Sequence, residues 1–573
     1  MRIPSLLLLP LLLSAAGPAA WSQTKVLELV PARAEAVAYF PRPRRLEAKW
    51  TALAAMFGEK EGFLGLKAQT GLDPAKVGPG PIVKVSLPKG EGGEAWAWLV
   101  PTAQPKELLQ GLQPKVQAQG WTWNAPAARK PSKAPAGATL HGAARPGFLL
   151  VASSAGALEA MVKSKGSLAA ELAPFAVWMG RHDACLVATR AGIEAAAKGA
   201  SASLKDKPPA AEGDPAAPQS AAPKPPKRLQ SKFEGWMELA KTSVHHVLAA
   251  LDLGDDGGLR VEARALISTG SPLSRELQTL AAGAGHPLDG LAAPGFALAL
   301  GGEWSGIFDL QAAVFEDLDK AGRVQPGTKV RVQQALEAQN AQIRSWGMAL
   351  AAPAPGQPLL SGLSSLMRVD DSAAYLAAVE AVAKAQGAFM DELGMPNAVT
   401  FAAVPGGCTV TTRLGGKEDN PGSAQLKQGL AMAFGGDAIQ VSLGVLDGHR
   451  LLVLMGGPEQ LQARLEEARK TPDRLAASIA AVEPDLGSGH RFALYLDLRG
   501  LRDLAQLAAG MFLGPEVKPL PTVPEVPALG ITLAMDPAAL ELKGSVRGET
   551  LRAAAAFFQS VKTLLPSGPK PKP

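Results

Sequence analysis

The sequence has little cysteine, since only Cys185 and Cys408 occur among its 573 residues. No CxxC pair exists, which excludes the common metal and redox motifs that are built on paired cysteines. An oxidising compartment would permit Cys185 and Cys408 to form a disulfide. A disulfide and two buried free thiols both remain open, because sequence spacing does not give the distance between the two sulfur atoms.

The familiar catalytic signatures are missing as well. The chain has no GxSxG nucleophile motif, no GxxxxGK[ST] phosphate loop and no HExxH zinc motif. We therefore expect a non-enzymatic protein that needs no cofactor and has no catalytic or metal-binding residues. An enzyme with a dispersed site, centred on His182 or His490, stays as an alternative, because catalytic groups need not be adjacent in sequence.

Aromatic residues make up only 5% of the chain, yet four tryptophans are concentrated in two short segments. Trp96 and Trp98 form WAW, and Trp121 and Trp123 form WTW. Alternate residues of a strand share a face, so neighbouring strands would place all four indoles on one surface. These four residues are the candidate ligand surface for a glycan, peptide or lipid. The alternative is a bulky core under helices, because tryptophan is usually buried.

The N-terminus has the pattern of a secretory signal peptide. Residues 1–22 combine a basic start at Arg2, a short leucine-rich run and small residues before Ser22. The run is too short to span a bilayer, and no later stretch reaches the length of a membrane helix. We expect cleavage after Ser22, a periplasmic or extracellular location, and no transmembrane helix in the mature protein.

The net charge of +6 does not indicate a nucleic-acid partner. Much of the excess lies in PRPRR at 41–45, KPPKR at 224–228 and KPKP at the C-terminus, and these segments lack an aromatic-studded surface. Attraction to anionic envelope polymers is the better interpretation. With 47% hydrophobic residues, the chain can form a sizeable core.

Six blocks of sequence recur in the same order along the chain. The clearest pair is GFLLVASSAGALEAMV (147–162) and GHRLLVLMGGPEQLQARL (448–465), each a strand, a turn and a helix. A second pair aligns His182 with His490 and Gly192 with Gly500 without a gap. The pattern predicts an α+β fold of two tandem related halves, with a mainly antiparallel or mixed sheet and helices packed on one face.

The predicted organisation of the mature chain follows from these blocks and from shifts in composition. A first α+β half at 23–198 is followed by a disordered Pro/Ala/Lys-rich insertion at 199–231. Residues 232–512 contain first a hairpin that completes the first half and then the second α+β half. A Pro-rich loop at 513–528, a hairpin and helix at 529–565, and a tail at 566–573 end the chain. Residues 306–347 are predicted to be a helical insertion that distinguishes the second half, because the first half has only the turn PKGEGGE at the aligned place.

The histidines and one acidic turn are the remaining candidates for chemistry. His182 and His490 begin equivalent predicted strands, which suggests either a repeated ligand site or two polar strand ends. His245 and His246 are adjacent in a strand, so we expect them to point to opposite faces. The segment DLGDDGG at 252–258 resembles part of a calcium loop but lacks its final glutamate, so a tight hairpin turn is favoured.

Taken together, the mature chain resembles a family of exported bacterial proteins that are classed only as a domain of unknown function. The matching features are the signal peptide, VPARAEAVAYF (30–40), GLDP (71–74) and repeated strand–helix units. The resemblance implies an envelope location and an α+β fold, and no catalytic residues. We expect an envelope protein that binds an unknown protein, lipid or glycan partner, with a carrier of an apolar ligand in a cleft between the halves as the alternative.

Overall fold

The structure is a computed structural model of the full chain. It describes residues 25–58, 62, 65–90, 93–118, 120–126, 138–205, 235, 238–279, 286–291, 295–303, 322–354, 356–413, 428, 429, 431–470, 476–514 and 518–564. These residues divide into two compact units. Unit 1 comprises those within 1–218, 234–279 and 536–541, and unit 2 comprises those within 219–233, 280–535 and 542–573.

Unit 1 is built on one antiparallel sheet. Its described strands are β1 (Ala36–Phe40), β2 (Ile82–Gly90), β3 (Gly93–Pro101), β4 (Lys115–Gln117), β5 (Gly120–Asn124), β6 (Thr139–Arg145), β7 (Phe148–Ala152), β8 (Ala184–Ala188), β9 (Val244–Leu253) and β10 (Leu259–Ile267). Neighbouring strands follow the order β4, β5, β6, β7, β3, β2, β1, β8, β9, β10.

Unit 2 contains a second antiparallel sheet. Its described strands are β11 (Phe296–Gly302), β12 (Ile343–Ala351), β13 (Leu363–Val369), β14 (Val399–Val404), β15 (Gly407–Arg413), β16 (Ala438–Val445), β17 (Arg450–Met455), β18 (Phe492–Leu496), β19 (Leu529–Asp536) and β20 (Ala539–Val546), of which 542–546 belong to this unit. The order is β14, β15, β16, β17, β13, β12, β11, β18, β19, β20.

The two sheets therefore have the same strand order. Adding ten to each strand number of unit 1 gives the order in unit 2, and every pair with a described register is antiparallel. The sheet of each unit combines with helices, so the predicted α+β class is confirmed. All described pairs are antiparallel, and no mixed sheet is seen among them.

Helices connect the strands in both units. Those of unit 1 are α1 (Pro43–Met56), α2 (Leu66–Thr70), α3 (Pro105–Leu108), α4 (Ala155–Val162), α5 (Ala169–Leu172), α6 (Ala176–Arg181), α7 (Arg190–Lys205) and α8 (Pro272–Thr279). Those of unit 2 are α9 (Pro326–Asn340), α10 (Ser372–Glu392), α11 (Pro458–Lys470), α12 (Ala477–Ala480), α13 (Glu483–Leu486), α14 (Leu498–Leu513) and α15 (Gly548–Leu564).

Helices pack on both faces of the unit 2 sheet, so the expectation of a single covered face is wrong. Leu366 of β13 belongs to a core with residues of α12 and α13, including Ile479. The next residue, Met367, belongs to a different core with Tyr375 and Val379 of α10. Successive side chains of a strand point to opposite faces, so these cores lie on the two sides of one sheet. The repeat pattern did not reveal this, because both faces are apolar.

The predicted helical insertion at 306–347 is corrected in two respects. Its first helix, at 306–322, lies almost entirely outside the described residues, and the second ends at Asn340, with Ile343 already starting β12. The segment is also not peculiar to unit 2, because α1 and α2 occupy the same position between β1 and β2 that α9 occupies between β11 and β12. The turn PKGEGGE instead joins β2 to β3.

Two other predicted boundaries can be compared with the structure. The start of the insertion predicted at 199–231 is wrong, because α7 continues to Lys205, and 206–231 lie outside the described residues. Residues 518–528 form no helix or strand, and β19, β20 and α15 follow in the predicted order. Within the described parts of the chain, no helix combines the length and the hydropathy that crossing a membrane requires.

Two helix starts show the local features that begin helices in this chain. The Asp371 carboxylate accepts a hydrogen bond from the backbone N–H of Ala374 at 2.7 Å and so caps α10. Pro458 is the first residue of α11, where its missing N–H leaves no lost hydrogen bond. In both cases a helix begins shortly after an apolar strand ends, a pattern that recurs in the two units.

A close helix-to-strand contact recurs at matched glycines. A β-carbon at Gly192, in the first turn of α7, would lie 2.0 Å from the carbonyl oxygen of Glu35. A β-carbon at Gly500, in the first turn of α14, would lie 2.0 Å from the carbonyl oxygen of Phe296. Both distances are far inside van der Waals contact, so only glycine lets the helix start this close to the neighbouring strand.

Replacing Gly500 with alanine is expected to destabilise the protein by about 1–3 kcal/mol, because the new methyl group must displace backbone atoms. The loss should appear as a lower unfolding midpoint in urea, followed by circular dichroism. Gly510 provides the matched control, because it lies in the same helix and a β-carbon there would meet nothing within 4 Å. Gly510→Ala should stabilise by up to about 1 kcal/mol through helix propensity. Equal midpoints for the two variants would contradict the close contact at Gly500.

Candidate functional site

Four polar side chains converge near the start of β18 in unit 2. His286 lies in the turn that precedes β11, Glu483 is the first residue of α13, and Tyr495 lies within β18. His490 stands two residues before β18, after Gly487 and Gly489, whose φ angles of 89° and 78° are in the left-handed region. These glycines turn the chain back, so that His490 approaches Glu483.

The Glu483 carboxylate is the centre of this cluster. It accepts a hydrogen bond from the Tyr495 hydroxyl on Oε1, while Oε2 lies 3.3 Å from Nε2 of His490. Nε2 of His286 lies 3.0 Å from the Tyr495 hydroxyl oxygen and 3.5 Å from Oε1 of Glu483. Tyr495 is fully buried, and the other three side chains are between 4% and 19% exposed.

The hydrogen bonds determine the charge on the carboxylate. Burial alone would raise the pKa of Glu483, but the hydrogen bonds from His286, His490 and Tyr495 outweigh it and hold this pKa far below the usual range. Burial and the neighbouring Glu483 raise the pKa of Tyr495 well above its usual value. At neutral pH the cluster therefore contains an ionised carboxylate and a protonated phenol.

The backbone determines the proton position on one imidazole. The N–H of Leu288 donates to Nδ1 of His286 at 3.1 Å, so Nδ1 acts as an acceptor. A neutral imidazole carries one proton, which must then be on Nε2, facing Tyr495 and Glu483. Coordination of a metal through Nε2 would require the proton to move to Nδ1 and the Leu288 bond to break. That bond contributes about 1 kcal/mol, so its loss is a small cost.

His286, Glu483 and His490 could together hold a metal ion, because one ligand atom from each lies within 4.8 Å of the others. Sequence reasoning missed this set. It placed His490 at a strand start, but it did not consider Glu483 or join residues that lie far apart in the chain. The local signal was EPDLGSGH at 483–490, where two glycine bends separate a carboxylate from an imidazole.

The matched histidine of unit 1 also pairs with a carboxylate. Nδ1 of His182 lies 2.7 Å from Oδ2 of Asp252, whose other oxygen accepts the backbone N–H of Asp183. His182 and His490 thus stand at the same point of their sheets, and each is bonded to one acidic side chain. The other ring beside His182 is that of Trp178, at a centroid distance of 4.7 Å, whereas His490 has His286 and Glu483 beside it.

The expectation that His245 and His246 point to opposite faces is wrong. Their Nδ1 atoms lie 2.8 Å apart. Leu266 of β10 pairs with His246, but the next residue, Ile267, pairs with Val244, which leaves His245 as an extra residue in β9. Such a β-bulge breaks the alternation of side chains along the strand. Burial and the adjacent His246 lower the pKa of His245.

The acidic segment at 252–258 forms the hairpin turn between β9 and β10. Asp255 bonds to Arg45 at 3.1 Å and lies 3.4 Å from Lys49, while Asp256 accepts the backbone N–H of Gly258. These carboxylates face protein cations and backbone groups, which agrees with the favoured interpretation as a tight turn.

The four tryptophans do not lie on neighbouring strands. β7 and β6 separate the strand of Trp96 and Trp98 from that of Trp121 and Trp123. Cross-strand pairing still places all four on one face, but Trp98 and Trp123 are only 1% and 4% exposed. Their indole N–H groups donate to Gln69 Oε1 and the Thr70 carbonyl of α2.

Half of the predicted ligand surface is therefore core beneath α2. Trp96 and Trp121 are partly exposed, and the Lys84 ammonium lies 5.9 Å from the Trp96 ring and 5.2 Å from the Trp98 ring. Any ligand contact on this face is limited to those two partly exposed indoles.

Both cysteines are free thiols and both are buried. Burial raises the pKa of Cys408 to about 11 and that of Cys185 well above its usual value. Neither thiol is a ready nucleophile, because the reactive form is the thiolate. The question that the sequence left open is answered in favour of two free thiols.

The residue after each matched histidine forms a largely buried ion pair, and it is acidic in unit 1 but basic in unit 2. In unit 1 Asp183 bonds to Lys49 of α1 at 2.9 Å. In unit 2 the matched position is Arg491, which bonds to Glu303, just after β11, at 2.6 Å. The partners come from different places, since Lys49 lies on α1 and Glu303 directly follows β11, but the sign of the charge at each end of the pair is reversed.

No family model, curated protein or solved structure compared with this chain matches it.

Glu483→Gln should reduce stability at neutral pH by about 2 kcal/mol, since hydrogen bonds to a charged acceptor contribute roughly 1.5–3 kcal/mol. The folded pKa of Glu483 is lowered, so its stabilisation is present above the ordinary pKa of 4.5 and disappears as pH falls toward the folded value. The difference in the free energy of unfolding between wild type and variant should therefore become smaller in acid. Urea unfolding at a series of pH values, with a chelator present throughout, measures this difference.

Glu466→Gln is the matched control, because Glu466 lies exposed on α11. Its unfolding midpoint should follow that of wild type at every pH. If the difference in the free energy of unfolding between wild type and Glu483→Gln stays constant or grows below pH 4.5, the role assigned to the ionised carboxylate is contradicted.

Proposed function

We propose that the chain is an exported, non-enzymatic envelope protein that binds a partner, and that its two units arose by duplication. The observation that carries this proposal is the repeated strand order. Ten strands in each unit follow one order, and the matched Gly192 and Gly500 make the same close approach to a strand carbonyl. Duplication accounts for both features together.

What the units share supports binding more than catalysis. The common features are strand order, helix starts and glycine contacts, all of which define shape. The polar groups at matched positions differ, with Asp183 matched by Arg491, and Val187 matched by Tyr495.

The matched His182 and His490 each bond to a carboxylate, but in unit 2 His286 and Tyr495 join that pair. A repeated shape with different polar surroundings suits a protein that presents surfaces to a partner. The signal-peptide pattern at 1–22 supports an envelope location for that partner.

A cavity in unit 1 favours one second candidate, a carrier of an apolar ligand. It has a volume of about 360 Å³ and is lined in part by the buried Leu99, Leu150 and Met161, with Arg145 and Lys165 also at its wall. This volume is at the small end of ordinary ligand pockets. The Glu28 carboxylate also lines this cavity, so a ligand with an apolar body and a polar end would meet groups of both charges there. The tryptophan face, by contrast, gives this candidate little support.

Native mass spectrometry separates the two candidates. The full chain would be expressed with its own leader and purified from the exported fraction, and its intact mass would be measured before and after organic extraction. We expect a chain that begins at Gln23, carries no extractable organic molecule and associates with a protein partner in fixed stoichiometry. A bound lipid or other amphiphile would instead support the carrier. Retention of residues 1–22 or substrate turnover by the purified chain would contradict the proposal.

A further inference from the structure

We propose that His286, Glu483 and His490 form a zinc-binding site in unit 2. The three residues come from separate segments, yet their ligand atoms lie within 4.8 Å of one another. Nothing in the binding proposal above requires such a site. The inference therefore stands independently of the protein's partner.

The carboxylate lies between the two imidazoles at distances close to those of a zinc site. A metal with ligands at 2.0–2.2 Å in a tetrahedral arrangement holds them roughly 3.3–3.5 Å apart. Oε1 of Glu483 lies 3.5 Å from Nε2 of His286, and Oε2 lies 3.3 Å from Nε2 of His490. Because these distances involve different oxygens and the three ligand atoms lie within 4.8 Å of one another, the side chains must move together to bind one ion.

The donor set of two imidazoles and one carboxylate favours zinc over calcium and magnesium. Imidazole nitrogens suit zinc and other late transition metals, whereas calcium and magnesium prefer all-oxygen sites. Two histidines with one glutamate form a donor set that zinc proteins use, with a fourth position left for another ligand.

The surroundings of the ligands are also arranged for binding. Tyr495 holds one oxygen of Glu483 by a hydrogen bond, which fixes the carboxylate and leaves the second oxygen toward His490. Such outer partners orient metal ligands in many sites. One rearrangement is required, because Nδ1 of His286 must exchange its hydrogen bond from Leu288 for a proton of its own.

Zinc at this position would join two separate parts of unit 2. His286 belongs to the turn before β11, and Glu483 and His490 flank the glycine bend before β18. β11 and β18 are neighbours in the sheet. The metal would therefore act as a structural cross-link at the end of this strand pair, and binding would raise the unfolding temperature.

The test measures zinc and cobalt(II) binding by the metal-free full chain. The protein is stripped with a chelator, desalted and titrated with each metal in competition with a chromophoric chelator. We expect one strongly bound zinc per chain, visible cobalt bands of a four-coordinate nitrogen and oxygen site, and an unfolding temperature that rises when zinc is added.

Variants assign the metal to this cluster. His490→Gln should weaken zinc binding by about 100-fold or more, and Tyr495→Phe, which removes only an orienting hydroxyl, by roughly 10–100-fold. His182→Gln is the matched control, because His182 stands at the same point of the other sheet and also bonds to a carboxylate. Its zinc affinity and its zinc-dependent rise in unfolding temperature should equal those of wild type.

The proposal is overturned if wild type binds no stoichiometric zinc, which would mean that the cluster is held by hydrogen bonds alone. It is also overturned if His182→Gln weakens binding as much as His490→Gln, or if a folded His490→Gln retains wild-type affinity. These results do not depend on whether the exported protein has a protein partner or an apolar ligand, so the two proposals succeed or fail separately.

Discussion

The contact on which each unit depends is the meeting of a helix start with a strand carbonyl at a glycine. In unit 1 the helix that follows β8 crosses β1 at Gly192, and in unit 2 the helix that follows β18 crosses β11 at Gly500. In each sheet these two strands are neighbours near the middle of the strand order. The contact limits how far each helix start can be from the neighbouring chain, because any side chain larger than hydrogen would push the two apart.

Local sequence rules predicted much of this architecture. The hairpin predicted to complete the first half is present as β9 and β10. The aspartate that caps α10 and the proline that begins α11 are short-range features of the same kind. The α+β class follows from the same patterns. The matched glycines, aligned in the sequence without a gap, occupy the same position in the two sheets.

The failures have a common cause, which is that side-chain surroundings depend on long-range pairing. Residues 343–347 were assigned to a helix, but Ile343 and Trp346 pair with β13 and β11 and form a strand. The alternation rule placed His245 and His246 on opposite faces, and a bulge against β10 overrode it. The His286, Glu483 and His490 cluster needed β11 beside β18, a pairing that no local pattern in the chain indicates.

The exchanged ion pairs have a consequence for how the chain assembles itself. Two sheets of one strand order in one polypeptide offer each segment a second, nearly equivalent place to insert while the chain is still unfolded. If the strand led by Arg491 entered the sheet of unit 1, its guanidinium would meet the Lys49 ammonium, and Asp183 in the other sheet would meet Glu303. Like charges in a buried position are strongly unfavourable. Because the charges are reversed, each segment forms a favourable ion pair in its own sheet and a like-charge contact in the other one. The charges thus disfavour insertion into the wrong sheet during folding, which the shared strand order alone would not prevent.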